Sequence, residues 1–145
     1  PTKDFKNKHI SPMSDIQAAF GLSQLARYQE FLDRRAFIKE IYDREFRHWL
    51  SSDPRPGVTD FLFRYRLPKK QSLKDLIRHL GLEGISIRRG VDELLHRSLA
   101  GRDEEYPNAV SQYQDYFSIP FYPSLNDREV LYIVERVSKY LSQIS

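Results

Sequence analysis

The segment SDIQAAFGLSQL, residues 14–25, decides how this chain begins to fold. Ser14 is followed three residues later by Gln17, which is the sequence signature of a capping box at the start of a helix. Apolar residues then recur at helical spacing as far as about Leu50. The run SSDPRPG at residues 51–57 ends this pattern, because proline and glycine do not continue a helix.

The sequence therefore predicts one long helix over residues 13–50, preceded by an irregular lead-in of residues 1–12. A helix of this length would reach roughly 50 Å, which is more than a domain of this size needs. Gly21 and the polar stretch at residues 33–35 are the two places where it could bend or break.

Beyond this helix the sequence alternates between strand and helix patterns. Residues 59–67 put aromatic side chains on one face and arginines on the other, as in a half-buried strand. The other predicted elements are a helix over 73–80 capped by Ser72, strands at 84–88 and 116–121, and a last helix capped by Asn126. We expect an α+β fold in a single domain, residues 1–145. Its small three-stranded sheet has helices packed on one face, and this layer occupies residues 58–145.

Composition narrows the class of protein. Of the 145 residues, 40% are hydrophobic, which is enough for a core and argues against disorder. The chain has no cysteine, which excludes disulfides and thiolate metal sites. A lack of disulfides is usual for a cytoplasmic protein, and we expect this location. The net charge is only +3 and both signs are interspersed, so we expect no nucleic-acid partner. No apolar stretch is long enough to span a membrane, and no membrane partner is expected.

The sequence contains no self-evident catalytic motif. It has no glycine-rich phosphate loop, no metal-ligand spacing and no nucleophile motif, so no metal site is expected. His96, in the irregular region after the second predicted strand, is the best single candidate for a site residue, although the chemistry alone favours a surface or packing role. We expect the acidic residues 103–105 to lie in a solvated loop.

Two segments carry more information than their composition. Residues 13–25, followed by Arg34 and Arg35, resemble the start of the C-terminal region in the DegT–StrS family of sugar aminotransferases, which depend on pyridoxal phosphate (PLP). The segment SIPFYPSLNDREV, residues 118–130, resembles the closing motif of the same region. Between them GISIR, Leu-His and YPNA follow in the family's order, so that the resemblance covers about residues 8–142.

The resemblance implies that this chain is the small C-terminal domain of a fold type I PLP-dependent enzyme. Such an enzyme transfers an amino group to a keto sugar nucleotide and works as a homodimer. Its cofactor-binding lysine lies in a large N-terminal domain that would precede these residues. We therefore expect no catalytic residue in this chain, and no PLP bound to it alone.

The resemblance also suggests where a site would lie. It places Arg88 and His96 on the side that faces the sugar substrate, and it places Ile10, Ser11 and Met13 near the cofactor pocket of the dimer. Family members often carry Asn-x-Arg-Met where this chain has Ile-Ser-Pro-Met, residues 10–13. This departure leaves a second interpretation open, a non-catalytic interaction or regulatory module derived from a degenerate family member.

Overall fold

The structure is a computed structural model that describes residues 12–52, 64–68 and 71–143. Its helices and strands are α1 (Asp15–Ala26), α2 (Tyr28–Phe46), β1 (Ser51–Ser52), β2 (Arg64–Arg66), α3 (Leu73–Leu82), α4 (Leu95–Ser98), α5 (Pro107–Asp115), β3 (Tyr116–Ser118) and α6 (Asp127–Gln143). A short 3₁₀ helix (Asp103–Glu105) precedes α5. The α+β class agrees with the prediction from sequence.

The predicted long helix is two helices, separated by Arg27. The backbone of Arg27 has φ −103° and ψ 4°, and its N–H donates to the carbonyl of Gln24 at 3.1 Å. The Arg27 carbonyl accepts from the N–H of Phe31 at 3.1 Å, so α2 starts at once. Neither Gly21 nor the polar stretch at 33–35 marks the break. Because one tightened turn keeps the hydrogen bonding nearly intact, it needs no glycine or proline and leaves no trace in the sequence pattern.

The sheet differs from the predicted one. Its strand order is β1-β2-β3 and both pairings are antiparallel, with Ser51 opposite Arg66 and Tyr65 opposite Phe117. The predicted strand at 84–88 is not a strand; only a bridge between Arg88 and Ser118 joins it to β3. The two-residue strand β1 lies in the stretch predicted only to end a helix, since two residues are too short to show alternation. Residues 59–63 of the first predicted strand lie outside the described residues.

Aromatic side chains join the helices to the inner face of the sheet. Tyr42 stacks on Phe46 with ring centroids 5.5 Å apart, and Phe46 meets Tyr65 edge to face at 5.6 Å. Tyr65 in turn lies 6.3 Å from its cross-strand partner Phe117. The buried core comprises Ile38, Tyr42, Phe46, Leu50, Tyr65, Leu67, Leu73, Leu76, Leu80, Ile85, Ile87, Phe117, Ile119, Leu125, Val130, Ile133, Val137 and Leu141.

The two later helices begin where the sequence predicts. The Ser72 hydroxyl accepts from the N–H of Asp75 at 3.3 Å and caps α3. Gly81 is the predicted end of α3, but the helix continues to Leu82. The glycine that follows the helix with a left-handed backbone is Gly84, at φ 76°. Beyond it Ile85 and Ile87 are buried and direct the following segment across the core toward β3.

Candidate functional site

Arg88 follows the buried Ile87 and is held by its backbone. Its N–H donates to the Ser118 carbonyl at 3.2 Å, and the Ser118 N–H donates back to the Arg88 carbonyl at 2.8 Å. The side chain is exposed and lines a cleft of about 250 Å³ together with Asp92 and Tyr113. Within the described part of the chain no ion pair engages its guanidinium. The backbone of Arg88 is therefore fixed, and its guanidinium has no ion-pair partner among the described residues.

His96, in α4, is buried and closely held. Only 8% of the residue is exposed, and its Nε2 lies 2.9 Å from Oδ1 of Asp103. Its ring stacks on Tyr106 with centroids 4.6 Å apart and planes 17° from parallel. The Gly101 N–H donates to the His96 carbonyl at 2.7 Å, and a Cβ at Gly101 would lie only 3.1 Å from that same oxygen. The loop thus passes close to His96, and a side chain at Gly101 would require the backbone of His96 to shift by a few tenths of an ångström.

Asp103 connects His96 to Arg97. The Arg97 Nε donates to Oδ1 at 2.9 Å and its Nη2 donates to Oδ2 at 2.6 Å, a two-point pairing. Hydrogen bonds from Arg97 and from His96 hold the pKa of Asp103 well below its usual range. Since this carboxylate can only accept, His96 carries its proton on Nε2 and, when neutral, keeps Nδ1 as an acceptor.

Tyr113, in α5, links this group to the segment of Arg88. Its ring lies under Arg89, whose guanidinium carbon is 4.6 Å from the centroid, and under Arg97 at 5.4 Å. The Tyr113 hydroxyl donates to the Asp92 carbonyl at 3.0 Å and accepts from Arg89 Nη1 at 3.3 Å. We call His96, Arg97, Asp103, Tyr106 and Tyr113 the His96 cluster. Its contacts connect α4, the 3₁₀ helix and α5, and through Tyr113 they reach Arg89 and Asp92.

The sequence-predicted site residues are placed unequally. Arg88 and His96 lie on the same connecting segment, but no direct contact joins them within the described residues, and the connection runs through Arg89 and Tyr113. Met13 is described and is 72% exposed just before α1. Ile10 and Ser11 lie outside the described residues.

Sequence reasoning missed Asp103, Tyr106 and Tyr113. The acidic run that reads as a solvated loop contains the partner of His96, and the polar stretch after it forms α5. Pro107 at the first helical position was the available signal for that helix. The pairing of Asp103 with His96 has no local signature, because it depends on how the intervening loop closes.

A second cleft, of about 630 Å³, lies between the α1–α2 junction and Pro123–Ser124. Its arginines are already engaged. Arg27 pairs with Glu30 at 3.2 Å, and Arg34 pairs with Asp127 at 2.8 Å and donates to the Leu125 carbonyl at 2.6 Å. These contacts join α2 to the start of α6, and Arg35, which also lines the cleft, is not free either.

Cofactor and metal sites need particular groups of side chains. Across residues 12–52, 64–68 and 71–143 there is no group of three or more His, Asp or Glu side chains that could hold a metal ion. The lysines there do not suit covalent attachment of PLP: Lys39 is ion-paired with Asp43 at 2.7 Å, and Lys74 and Lys139 are exposed on helices. No described helix is long and apolar enough to cross a membrane.

Comparisons with known proteins find one matching family and several relatives. Residues 8–138 match the DegT/DnrJ/EryC1/StrS aminotransferase family. The spore coat polysaccharide biosynthesis protein SpsC of Bacillus subtilis is 27% identical over 141 residues, which are 86% of this chain and 36% of that protein. The uncharacterized protein MJ1066 of Methanocaldococcus jannaschii is 24% identical over 145 residues, 90% of this chain and 37% of that protein.

Solved structures show the same relation. Spr1654 from Streptococcus pneumoniae, described as a sugar aminotransferase and solved in its PMP form, superposes with a TM-score of 0.79 at 25% identity. The match covers 91% of this chain and 36% of that one. The chain thus spans little more than a third of the length of the relatives it matches.

Proposed function

The chain belongs to the DegT/DnrJ/EryC1/StrS aminotransferase family, and we propose that it is the small C-terminal domain of a PLP-dependent enzyme that aminates a keto sugar nucleotide. The observation that carries this proposal is the match of nearly the whole chain to about a third of Spr1654. In this proposal a large N-terminal domain supplies the remaining two-thirds, the assembly is a homodimer, and it is cytoplasmic.

The described residues do not fit a complete cofactor site. PLP chemistry requires a lysine in a desolvated pocket, whereas the described lysines are ion-paired or exposed. The proposal therefore assigns PLP to the longer protein, with its attachment lysine outside these residues. This chain would contribute residues that bind and orient the substrate.

Arg88 suits recognition of an anionic substrate group. Its backbone is fixed by two hydrogen bonds to Ser118, while its guanidinium projects from the surface into a shallow cleft. A guanidinium held in this way can donate two parallel hydrogen bonds to a phosphate or carboxylate. The nucleotide diphosphate of the proposed substrate presents such a group.

His96 would act as a hydrogen-bond acceptor. The Nε2–H of His96 donates to the Asp103 carboxylate, so a neutral imidazole offers only Nδ1 as an acceptor to a substrate hydroxyl. The stack on Tyr106 and the closed loop at Gly101 fix the plane of the ring. Because His96 is buried, a substrate would contact its ring along one edge only.

A test of this proposal uses the full-length natural protein with PLP, an amino donor and a keto sugar nucleotide. We expect the absorbance band of lysine-bound PLP, and amination that Arg88→Ala weakens at least tenfold through KM. Arg78→Ala, which removes an exposed arginine paired only with Asp75 on α3, is the matched control and should change little. An Arg88→Ala variant with unchanged KM would remove this residue from the site.

The alternative is a non-catalytic interaction or regulatory module. It is favoured by Ile10 and Pro12, which occupy the positions where family members often have Asn and Arg. A full-length protein that shows no band of lysine-bound PLP would support this alternative over the enzyme.

A further inference from the structure

The acidic 3₁₀ helix before α5 holds the His96 ring from two directions. Asp103 lies at the edge of the ring, where its Oδ1 is 2.9 Å from Nε2, and Tyr106 stacks on the face of the ring with centroids 4.6 Å apart. The Tyr106 N–H donates to the Asp103 carbonyl at 3.0 Å, so one turn of the chain carries both contacts. The position and the tilt of the imidazole are therefore both restricted.

Arg97 fixes the carboxylate that faces this ring. Its Nε and Nη2 donate to the two carboxylate oxygens of Asp103 at 2.9 and 2.6 Å, which restricts rotation of the carboxylate. Oδ1 is shared between Arg97 and His96. With a neutral imidazole the three side chains carry no net charge together, which suits a histidine of which only 8% is exposed.

The second ring nitrogen of His96 is available to a ligand. Nδ1 has no hydrogen-bond partner among the described residues, and it is not one of their fully buried unpartnered atoms. It therefore keeps some access to solvent, although the residue as a whole is buried. With the proton on Nε2, Nδ1 can only accept, so a group that binds there must donate a hydrogen bond.

We propose that Asp103 is a positioning residue that acts through His96. Together with Arg97 it makes the site select a sugar that carries a hydroxyl at the carbon facing Nδ1 over the corresponding deoxy or keto sugar. A fixed acceptor discriminates against an analogue without the donor, because the acceptor is then left unpaired. The substrate part of this inference rests on the proposed function, whereas the arrangement of the ring does not.

The protonated nitrogen of the ring can be measured directly. Nitrogen-15 NMR of the 145-residue chain, with the signals of His96 assigned by their loss in His96→Gln, reports which ring nitrogen carries the proton. We expect the wild type to hold the proton on Nε2. Asp103→Asn should shift the ring to the other tautomer or to a mixture, because an amide offers a donor in place of one acceptor oxygen. Glu104→Gln, an exposed neighbour, is the matched control and should keep the proton on Nε2.

Kinetics of the full-length natural protein with PLP and an amino donor test the consequence for the substrate. The values of kcat/KM are compared between a keto sugar nucleotide and its deoxy analogues. We expect the wild type to prefer the hydroxylated sugar over one analogue by at least a hundredfold, and Asp103→Asn to reduce this preference at least tenfold. His96→Gln should lose the preference as well, since its amide can still donate to Asp103 but has no Nδ1. Glu104→Gln should keep the preference.

The two measurements separate positioning from a purely structural role. If Asp103 only stabilises the loop, Asp103→Asn lowers the stability and leaves both the tautomer and the preference unchanged. That result, or a wild-type ring with its proton on Nδ1, would overturn the proposal. A full-length protein that aminates no keto sugar nucleotide would contradict the proposed function instead, and the tautomers of the wild type and of Asp103→Asn would still decide whether Asp103 positions His96.

Discussion

Helices α1 and α6 both carry many apolar residues, but of these two only α6 has residues that are buried by the described part of the chain. In α6 the apolar residues form one stripe, and Val130, Ile133, Val137 and Leu141 all enter the core. In α1 they are spread over two faces and none is buried. The difference teaches that the arrangement of apolar residues around a helix, more than their number, decides whether one chain can satisfy them.

The largest expected effect comes from breaking the buried stripe of α6. Leu141→Ala should lower the free energy of unfolding by about 2–5 kcal/mol, because it leaves a cavity in a well-packed core. Leu131→Ala on the same helix is the control: this leucine is 61% exposed, and its loss should cost less than about 0.5 kcal/mol. Urea unfolding followed by circular dichroism measures both, and equal losses would contradict the assigned stripe.

The caps of the two helices sharpen the comparison. The Asn126 side chain accepts from the N–H of Glu129 at 3.0 Å, and the Glu129 carboxylate accepts from the N–H of Asn126 at 2.8 Å. Ser14 and Gln17 form the same reciprocal pair at α1.

Asn126→Ala should therefore cost about 1 kcal/mol of global stability, since α6 unfolds with the core. Ser14→Ala should reduce helix content without moving the urea midpoint of the monomer, because α1 buries nothing there. The comparison would fail if Ser14→Ala shifted the midpoint as much as Asn126→Ala does.

The His96 cluster differs from both helices, because charged hydrogen bonds hold it together where apolar packing holds α6. Asp103 has a lowered pKa in the folded chain through Arg97 and His96. Its contribution is complete above the unfolded-state pKa of about 3.9 and is lost as the pH falls below that value.

The stability difference between wild type and Asp103→Asn should thus shrink as the pH falls from about 4 toward 3. Glu104→Gln, an exposed neighbour, is the control and should show no such difference. Urea unfolding at several pH values measures it. A difference that persists unchanged at pH 3 would mean that the carboxylate charge does not hold the loop.

The smallest effect is expected at the ion pair that joins α2 to α6. Asp127 lies 2.8 Å from Arg34, but its side chain is 72% exposed and solvent screens the attraction. Asp127→Asn should cost only a few tenths of a kcal/mol. Arg34 keeps its hydrogen bond to the Leu125 carbonyl in this variant, so a loss above about 1 kcal/mol would show that the pair is not screened.

Much of the fold could be predicted from local sequence. The caps at Ser14, Ser72 and Asn126, and the stripe of α6, have signatures within a few residues, and all of them form. The sequence did not predict the break at Arg27, nor which segments form the strands of the sheet. A tightened turn and a two-residue strand leave no periodic signal.

The candidate site was predictable only as a region. The resemblance directs attention to Arg88 and His96, and the structure shows that one projects from the surface while the other is buried. Their roles toward a substrate remain predictions. Asp103 and Tyr113 could not be identified in advance, because their contacts with His96, Arg89 and Arg97 form only after the loop closes.

The amino-acid sequence by itself determined where helices start, which stripe enters the core and which family the chain resembles, because these depend on neighbours along the chain. Tertiary structure alone decided that His96 is held by Asp103 and that the described residues bury no side chain of α1. The first depends on how the loop between residues 96 and 103 closes and the second on which segments pack against α1, and local propensity encodes neither.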